Sequence, residues 1–303
     1  MSGACPVSSV KPSVLVLGAT GMLGHAVIAE LAADFDIHAT IRDRGRAATL
    51  EPAARVAQLH EFDATRDSVA GLVEEVEPQT VINCIGLVKQ LEAASEPLPA
   101  IRLNALFPHE CAAACESLGA RFIHISTDCV FSGELPLGEA YTEEHRPDPH
   151  DMYGLTKQLG EVVAPRALTL RTSIIGWELD RSSGLLEWFA AQDGGTVNGF
   201  TQAIFSGLTT RALARVLAWL ITEHPELSGL YHVSSEPIDK YTLLRALRDV
   251  LAIDVEIVPV DEPVVNRALD SERLRDLTGL TVPSWDEMLA EYTTGRTYSH
   301  NAG

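Results

Sequence analysis

A glycine-rich loop directly follows an apolar run near the start of the chain. The run covers residues 14–17, and the loop reads Gly18-Ala19-Thr20-Gly21-Met22-Leu23-Gly24. This order predicts a buried strand, a tight turn and then a helix, whose N-terminal N–H groups can bind a pyrophosphate. Gly18 permits the turn, Gly21 lets the backbone approach a phosphate, and Gly24 lets helix and strand pack closely. The loop therefore indicates a strand–helix unit of the dinucleotide-binding kind.

Apolar strands and amphipathic helices alternate up to Arg171. The pattern predicts strands at residues 14–17, 37–41, 56–60, 80–84, 122–125 and 168–171, and helices at residues 21–33, 68–76, 97–118 and 152–163. Repeated strand–helix units of this length predict an α/β fold with a doubly wound parallel (Rossmann) sheet and right-handed crossovers. Ligands in such sheets bind outside the carboxyl ends of the strands.

The pattern changes after Arg171. It predicts helices at residues 184–191, 209–222, 242–251 and 270–277, strands at residues 229–233 and 255–258, and a turn at Gly194-Gly195. No second glycine loop occurs, so we expect a smaller C-terminal substrate-binding lobe over the strand ends. The predicted dinucleotide-binding domain covers residues 13–173, with a later contribution around residues 205–233. The lobe covers residues 174–204 and 234–292.

The composition disfavours several classes of protein. The 303 residues, 46% of them hydrophobic, suffice for one large core or a core with an appended lobe. No apolar run approaches the ~18–20 residues of a membrane span and the start lacks an apolar signal segment, so we expect a cytoplasmic protein. The five cysteines are odd in number and scattered, which disfavours disulfides, and nothing completes a zinc site at Cys111 and Cys115, so no metal is expected. The net charge of −19 disfavours nucleic acid and anionic membranes as partners.

A tyrosine and a lysine lie four residues apart in Tyr153-Gly154-Leu155-Thr156-Lys157, on one face of a predicted helix. Thr127 ends a predicted strand, and a parallel sheet brings its hydroxyl to the same edge as the glycine loop. The pKa of free tyrosine is about 10, so we expect Lys157 to lower the pKa of Tyr153. Thr127 would hydrogen-bond a substrate carbonyl. The three residues predict nicotinamide-dependent carbonyl chemistry.

The end of the second predicted strand bears on the choice of cofactor. An NAD-selective site usually has an acid there that bonds the ribose 2′-OH. This chain instead has Arg42, with Arg44 and Arg46 beyond it, and an arginine accommodates a 2′-phosphate. NADP(H) is therefore favoured. NAD(H) stays open if the neighbouring Asp43 points towards the ribose.

Longer motifs resemble those of a known family. They are Ser126-Thr127-Asp128-Cys129-Val130-Phe131-Ser132-Gly133, Tyr153-Gly154-Leu155-Thr156-Lys157-Gln158-Leu159-Gly160-Glu161, Leu170-Arg171-Thr172-Ser173, and Leu269-Asp270-Ser271 through Pro283-Ser284-Trp285. From roughly residue 13 to residue 290 the chain resembles the extended short-chain dehydrogenase/reductase superfamily, in its dTDP-4-dehydrorhamnose reductase-like branch. Asn83-Cys84-Ile85-Gly86 is bulkier than the usual Asn-x-Ala-Gly, and the segment after Gly86 differs from the rhamnose enzymes.

The resemblance implies Thr127, Tyr153 and Lys157 as a catalytic triad. Together with the glycine loop and Arg42, it implies cofactor contacts from Tyr153, Lys157, Gly18, Thr20, Gly21, Met22, Leu23, Gly24, Arg42, Asp63, Ala64, Cys84, Ile85, Gly86 and Asn104. Asp63 would lie near the adenine, and Asn104 would support the lysine through water. The expected substrate contacts come from Lys89, Thr127, Asp128, Arg211 and Arg267.

The resemblance implies an NADPH-dependent reductase of a nucleotide-activated 4-keto-6-deoxy sugar, with hydride transfer to C4 and Tyr153 as general acid. Sugar 4,6-dehydratases have Glu where this chain has Cys129, so reduction fits better than dehydration. A nucleotide-sugar epimerase stays open because its triad is the same. A non-catalytic NADP-binding protein stays open as well, because the regulatory subunit of methionine adenosyltransferase resembles this branch. The expected partner is a nucleotide-diphosphate sugar, and a homodimer is left open.

Overall fold

The computed structural model describes residues 11–50, 55, 57–87, 96–179 and 183–292. Within them the strands are β1 Ser13–Leu17, β2 Asp36–Ile41, β3 Gln58–Glu61, β4 Thr80–Asn83, β5 Arg121–Thr127, β6 Ala167–Thr172, β7 Ile174–Ile175, β8 Thr196–Phe200, β9 Ala203–Phe205, β10 Leu208–Thr209, β11 Gly229–His232, β12 Ile238–Asp239, β13 Glu256–Val260 and β14 Val265–Arg267. The helices are α1 Gly24–Leu31, α2 Val69–Val76, α3 Pro97–Ala100, α4 Phe107–Leu118, α5 Met152–Leu159, α6 Leu185–Ala190, α7 Thr210–Glu223, α8 Lys240–Leu251, α9 Glu272–Thr278 and α10 Trp285–Ala290.

The central sheet has seven described strands in the order β11-β6-β5-β4-β1-β2-β3. Every neighbouring pair is parallel, with Val14 opposite Ile37 on one side and Thr80 on the other. The order turns back at β1, where the chain moves to the other half of the sheet, and such a switch point leaves a crevice at the carboxyl ends of the strands. The predicted α/β fold with a doubly wound parallel sheet is confirmed.

Helices cover both faces of this sheet because its strands are apolar on both sides. Residues 14–17 of β1 are fully buried. On one face the buried residues of α1 and α7 form a core with β1, β2 and β6. On the other face α2 and α4 pack around Phe107 and Phe122. These two cores fix the strand ends that form the cleft described below.

Smaller sheets lie beside the central one. β9 pairs antiparallel with β12 and parallel with β14, β13 pairs parallel with β8, and β10 pairs parallel with β7. β11 joins the central sheet although it lies late in the chain. We propose that the sheet of β9, β12 and β14 and the sheet of β8 and β13, with their helices, form the substrate lobe that the sequence predicts at residues 174–204 and 234–292.

Several predicted elements differ from the observed ones at their ends. The third strand was expected at residues 56–60; residue 56 lies outside the described residues, and the strand is Gln58–Glu61. The helix predicted at residues 97–118 is divided by a π-helical segment, Ile101–Leu106. α5 ends at Leu159 rather than at residue 163, and a Cβ at the following Gly160 would overlap the carbonyl oxygen of Asn104.

One helix was not predicted. α10 begins with a capping box, in which Ser284 Oγ accepts from the Glu287 N–H and the Glu287 carboxylate accepts from the Ser284 N–H. This arrangement satisfies N–H groups that the first turn of a helix leaves unpaired. As to membranes, none of the helices in the described part of the chain has the length and apolar character needed to cross one.

Candidate active site

The glycine loop joins β1 to α1 and forms one wall of a cleft at the carboxyl end of the sheet. Gly18 has a φ of 92°, which favours glycine, and its N–H donates to Thr40 Oγ1 at 2.8 Å. A Cβ at Gly24 would overlap the Gly18 carbonyl oxygen, so the close approach of helix and loop requires glycine. A Cβ at Gly21 would meet only ordinary contacts, yet Gly21 lines the cleft. Glycine at this position leaves room for a ligand as close as a pyrophosphate.

Arg42 and Arg46 line the cleft beyond the end of β2. Their neighbour Asp43 is not among the described residues of the cleft wall. Its Oδ1 instead accepts from the Gly45 N–H at 2.7 Å and caps the short 3₁₀ helix Arg44–Thr49. The turn therefore offers guanidinium groups rather than a carboxylate to the cleft, which suits a phosphate more than a ribose hydroxyl pair.

Asp63 and Ala64 line the cleft after β3. Asp63 Oδ1 accepts from the Thr65 hydroxyl at 2.7 Å and from the Thr65 N–H at 3.0 Å. Both hydrogen bonds lower the pKa of Asp63, and the one from the Thr65 hydroxyl has the larger effect. The carboxylate thus stays ionised and fixed at the end of the cleft beside Arg42.

The segment after β4 forms the next part of the wall, with Cys84, Ile85 and Gly86. Burial raises the pKa of the Cys84 thiol to about 12, so this thiol is unreactive at neutral pH. Asn104 is fully buried behind the wall. Its Oδ1 accepts from the Leu87 N–H at 2.8 Å and its Nδ2 donates to the Leu87 carbonyl at 3.2 Å. Asn104 therefore holds the segment from behind rather than lining the cleft.

Thr127 lies at the end of β5 and lines the cleft with Asp128 and Cys129. Its Oγ1 donates to Asp128 Oδ1 at 3.0 Å and accepts from the Cys129 N–H at 3.1 Å. Burial raises the pKa of Asp128, whereas the charge of Arg267 and the hydrogen bond from Thr127 lower it. The hydroxyl has a single proton, so its orientation is set by this carboxylate.

α5 carries Tyr153 and Lys157 into the same cleft. Asp151 Oδ1 accepts from the Gly154 N–H at 2.8 Å and caps the helix. A Cβ at Gly154 would overlap the Cys129 carbonyl oxygen, so glycine lets the first turn of α5 lie directly against the end of β5. This close packing places the phenol of Tyr153 beside Thr127.

Tyr153 and Lys157 have shifted pKa values in opposite directions. Burial of the phenol raises the pKa of Tyr153, the charge of Cys129 raises it further, and a hydrogen bond with Thr127 lowers it. Burial lowers the pKa of Lys157 to about 8, against the charges of Glu161 and Cys84, which raise it. The prediction that Lys157 lowers the pKa of Tyr153 is wrong for this structure, because burial raises that pKa and Lys157 is not among the groups that shift it.

Lys157 also contacts two groups of β5 that the sequence analysis did not single out. Its Nζ donates to the Ile125 carbonyl at 2.7 Å and lies 3.4 Å from His124 Nε2. Burial lowers the pKa of His124, and the charges of Lys157 and His109 lower it further. A histidine within the apolar run at residues 122–125 was the available signal.

Two further predicted substrate residues, Arg211 and Arg267, lie outside the described lining of the cleft. Arg267 is half-buried and donates to the Phe131 carbonyl at 3.0 Å and the Ser132 carbonyl at 2.9 Å. Neither Arg267 nor Arg211, which is in the first turn of α7, is among the described residues that line the cleft. Lys89 lies outside the described residues.

The cleft has a volume of about 400 Å³. It brings together predicted site residues from six separate segments of the chain. These residues are Gly18, Thr20, Gly21, Met22, Leu23, Arg42, Asp63, Ala64, Cys84, Ile85, Gly86, Thr127, Asp128, Tyr153 and Lys157. In the described ranges, no group of His, Cys, Asp and Glu side chains could hold a metal ion.

A further wall of the cleft was missed by the sequence analysis. It follows β6 and contains residues 172–174, 178, 179, 183 and 184. Glu178 fixes part of it, because its Oε2 accepts from the Ser183 and Gly184 N–H groups, each at 2.9 Å. The signal was available, since this segment also follows the carboxyl end of a parallel strand.

The chain matches one known family and is similar to several known proteins. The model of the family described as "RmlD substrate binding domain" matches residues 12–297. The protein named "Probable low-salt glycan biosynthesis reductase Agl14" from Haloferax volcanii is 32% identical over 235 residues, which cover 73% of this chain and 74% of that protein. Methionine adenosyltransferase 2 subunit beta from Danio rerio is 29% identical over 296 residues, which cover 89% of this chain and 86% of that protein.

A solved structure agrees with these relatives. It is dTDP-4-dehydrorhamnose reductase from Bacillus anthracis in complex with NADP, with a TM-score of 0.77 and 25% sequence identity. The match covers 93% of this chain and 99% of that chain. The similarity therefore extends over the central sheet and the smaller sheets alike.

Proposed function

The chain belongs to the RmlD substrate-binding-domain family, and from that premise we propose that it is an NADP(H)-dependent reductase of a nucleotide-activated 4-keto-6-deoxy sugar. The family membership agrees with the resemblance that the motifs indicated. The observation that supports the proposal most is the convergence of Thr127, Tyr153 and Lys157 on the cleft lined by the glycine loop. The chain is an NAD(P)-dependent oxidoreductase, and the identity of its sugar substrate is what we propose.

The cleft fits a dinucleotide phosphate. The backbone around Gly21 would hold the pyrophosphate at the N-terminus of α1. Arg42 and Arg46 would hold a 2′-phosphate, because guanidinium groups form paired, charge-assisted hydrogen bonds with phosphate oxygens. Asp63 and Ala64 would lie beside the adenine. When bound, NADP(H) supplies the hydride.

Tyr153 would donate the proton that a ketone oxygen needs as its carbon is reduced. Burial keeps the phenol protonated, as a proton donor must be before reaction. The Thr127 hydroxyl lies between the Asp128 carboxylate and this phenol, so we assign it to orient the phenol by accepting its hydrogen bond. The low dielectric of the cleft strengthens each of these contacts.

Two other functions compete with this proposal. A nucleotide-sugar epimerase would use the same three residues and leave the cofactor unchanged overall. A non-catalytic NADP-binding subunit is suggested by the similarity to methionine adenosyltransferase 2 subunit beta. The presence of Thr127, Tyr153 and Lys157 in one cleft favours an enzyme. Arg211 and Arg267 remain proposed substrate residues, although Arg267 already serves two carbonyls.

Replacing Tyr153 with Phe tests the proposal. Turnover of a nucleotide-diphosphate 4-keto-6-deoxyhexose should fall by about 10²–10⁴-fold, because the general acid is lost. NADPH affinity, measured by calorimetric titration, should stay within about twofold of wild type, since the ring remains. Tyr241→Phe is the matched control, because Tyr241 lies on α8 and is not among the described residues of the cleft. Near-normal turnover by Tyr153→Phe would remove Tyr153 from the mechanism.

A further inference from the structure

A row of three buried polar side chains includes two that line the cleft, Asn83 and Lys157, and His124, which lies between them. Asn83 is 1% exposed, His124 is fully buried and Lys157 is 5% exposed. Asn83 Nδ2 lies 3.2 Å from His124 Nδ1, and His124 Nε2 lies 3.4 Å from Lys157 Nζ. The row therefore links the end of β4, through β5, to the lysine of α5.

The amide of Asn83 fixes the direction of this row. Its Oδ1 accepts from the Ile85 N–H at 3.0 Å, so the amide cannot be turned over without setting that N–H against an NH₂ group. The NH₂ group of Asn83 consequently donates to His124 Nδ1. A neutral imidazole has one N–H, so His124 must carry its proton on Nε2.

This tautomer determines what Lys157 encounters. The Nε2–H of His124 points a donor at Lys157 Nζ. An amine has a lone pair that can accept this hydrogen bond, whereas an ammonium group has none. If Lys157 is charged, its ammonium group faces the Nε2–H of His124, and both groups are donors. The alternative is the Nδ1–H tautomer of His124, whose N–H would face the NH₂ group of Asn83. Only the uncharged amine satisfies every hydrogen bond of the row.

The other groups around Lys157 act in both directions. Glu161, just beyond α5, and Cys84, after β4, favour the charged lysine, and burial opposes them. Tyr153 lies one turn earlier on α5, and His109 of α4 acts on His124. The Ile125 carbonyl accepts from Lys157 in either protonation state. Among these groups, the His124 N–H is the one that selects for the amine by geometry.

We propose that Asn83 and His124 are positioning residues that favour the uncharged form of Lys157, so that this lysine gives up its proton more readily than an exposed lysine does. On the proposed function, the row thereby acts on the charge of the lysine that lies one turn from Tyr153 on α5. The lowered pKa of Lys157, about 8, agrees with the hydrogen-bond geometry of the row.

Nuclear magnetic resonance on the full chain without added cofactor tests the proposal independently of any activity. The chain has four lysines, Lys11, Lys89, Lys157 and Lys240, so labelled lysine gives a simple spectrum, and Lys157→Arg assigns the relevant signal. Lys157 should titrate at least about one pH unit below Lys11. Long-range ¹⁵N–¹H spectra should give His124 as the Nε2–H tautomer.

A pair of variants separates the row from simple burial. In His124→Phe the Lys157 amine no longer accepts a hydrogen bond from His124, and the ammonium form no longer faces the His124 N–H. The midpoint of the Lys157 titration should therefore rise by about one pH unit. In the control His109→Gln it should stay unchanged, because the described hydrogen bond of His109 is with the Leu159 carbonyl and not with a member of the row. An Nδ1–H tautomer for His124, or an unchanged Lys157 midpoint in a folded His124→Phe, overturns the proposal. If His124→Phe does not fold, the wild-type tautomer decides. Loss of the proposed reductase activity would leave these titrations untouched, so the two ideas can fail separately.

Discussion

Arg42 and Asp43 are adjacent in the chain and have different surroundings. Arg42 lines the cleft, whereas Asp43 caps the following 3₁₀ helix. The sequence could not decide between them, because either side chain can follow the end of a strand and face a ribose. The decisive contact is the local hydrogen bond from the Gly45 N–H, a pattern in which aspartate commonly bonds its own backbone two residues on.

Cofactor preference should therefore depend on Arg42 and not on Asp43. Arg42→Ala should weaken NADPH binding by about tenfold or more, since a hydrogen bond to a charged group contributes ~1.5–3 kcal/mol. NADH binding should change little, because NADH lacks the 2′-phosphate. Calorimetric titration with both cofactors measures this, and Asp43→Asn, which keeps the capping oxygen, is the control. Equal wild-type affinities for NADPH and NADH would contradict the assignment.

Arg267 illustrates what a motif cannot reveal at the residue scale. Its place before Leu269-Asp270-Ser271 led to the prediction of a substrate contact. In the fold its guanidinium donates to the carbonyls of Phe131 and Ser132, which lie far away in the chain. Backbone carbonyls are present at every residue, so no sequence pattern identifies which of them an arginine will bind.

At the scale of elements, the strand–helix units of the central sheet were predictable because local patterns determine them. Most of these strands are apolar runs and the helices have an apolar face, so existence and type followed from periodicity, whereas the polar strand β3 was less well defined by its sequence. The short strands β7, β8, β9, β10, β12 and β14 were missed. They are two to five residues long, and their pairings join segments distant in the chain, such as β8 with β13. Their strand character depends on that pairing rather than on local propensity.

Two glycines at the junction of β1 and α1 are expected to have different roles. Gly24 allows close packing, whereas Gly21 leaves room for the cofactor. Gly24→Ala should reduce the free energy of unfolding by about 1–3 kcal/mol, because its Cβ would overlap the Gly18 carbonyl oxygen. Gly21→Ala should stay within about 0.5 kcal/mol of wild type and weaken NADPH binding by about tenfold, or ~1.4 kcal/mol. Urea unfolding and calorimetric titration measure the two effects. Similar stability losses in both variants, or full cofactor affinity in Gly21→Ala, would show that the loop does not divide these tasks.

For the whole molecule, the parallel sheet explains why so much of the candidate site could be predicted. All its strands end at one edge, so residues at separate strand ends, such as Gly18, Thr127 and the neighbours of Asp63, had to meet there. The same rule would have identified the wall after β6, which contains residues 172–174, 178, 179, 183 and 184, had it been applied to that strand. The buried row behind Lys157 was not predictable in this way, because it depends on which polar atoms face one another inside the sheet.

The central claim is that this chain transfers a hydride from NADPH to C4 of a nucleotide-activated sugar. The most direct measurement uses NADPH with deuterium in place of both hydrogens at C4 of the nicotinamide, together with a nucleotide-diphosphate 4-keto-6-deoxyhexose. Mass spectrometry and proton spectra of the product locate the label. One deuterium is expected at C4 of the sugar for each NADPH oxidised, and Tyr153→Phe should form this product about 10²–10⁴-fold more slowly. An unlabelled epimer formed without net cofactor oxidation, or tight NADPH binding with no sugar product at all, would contradict it.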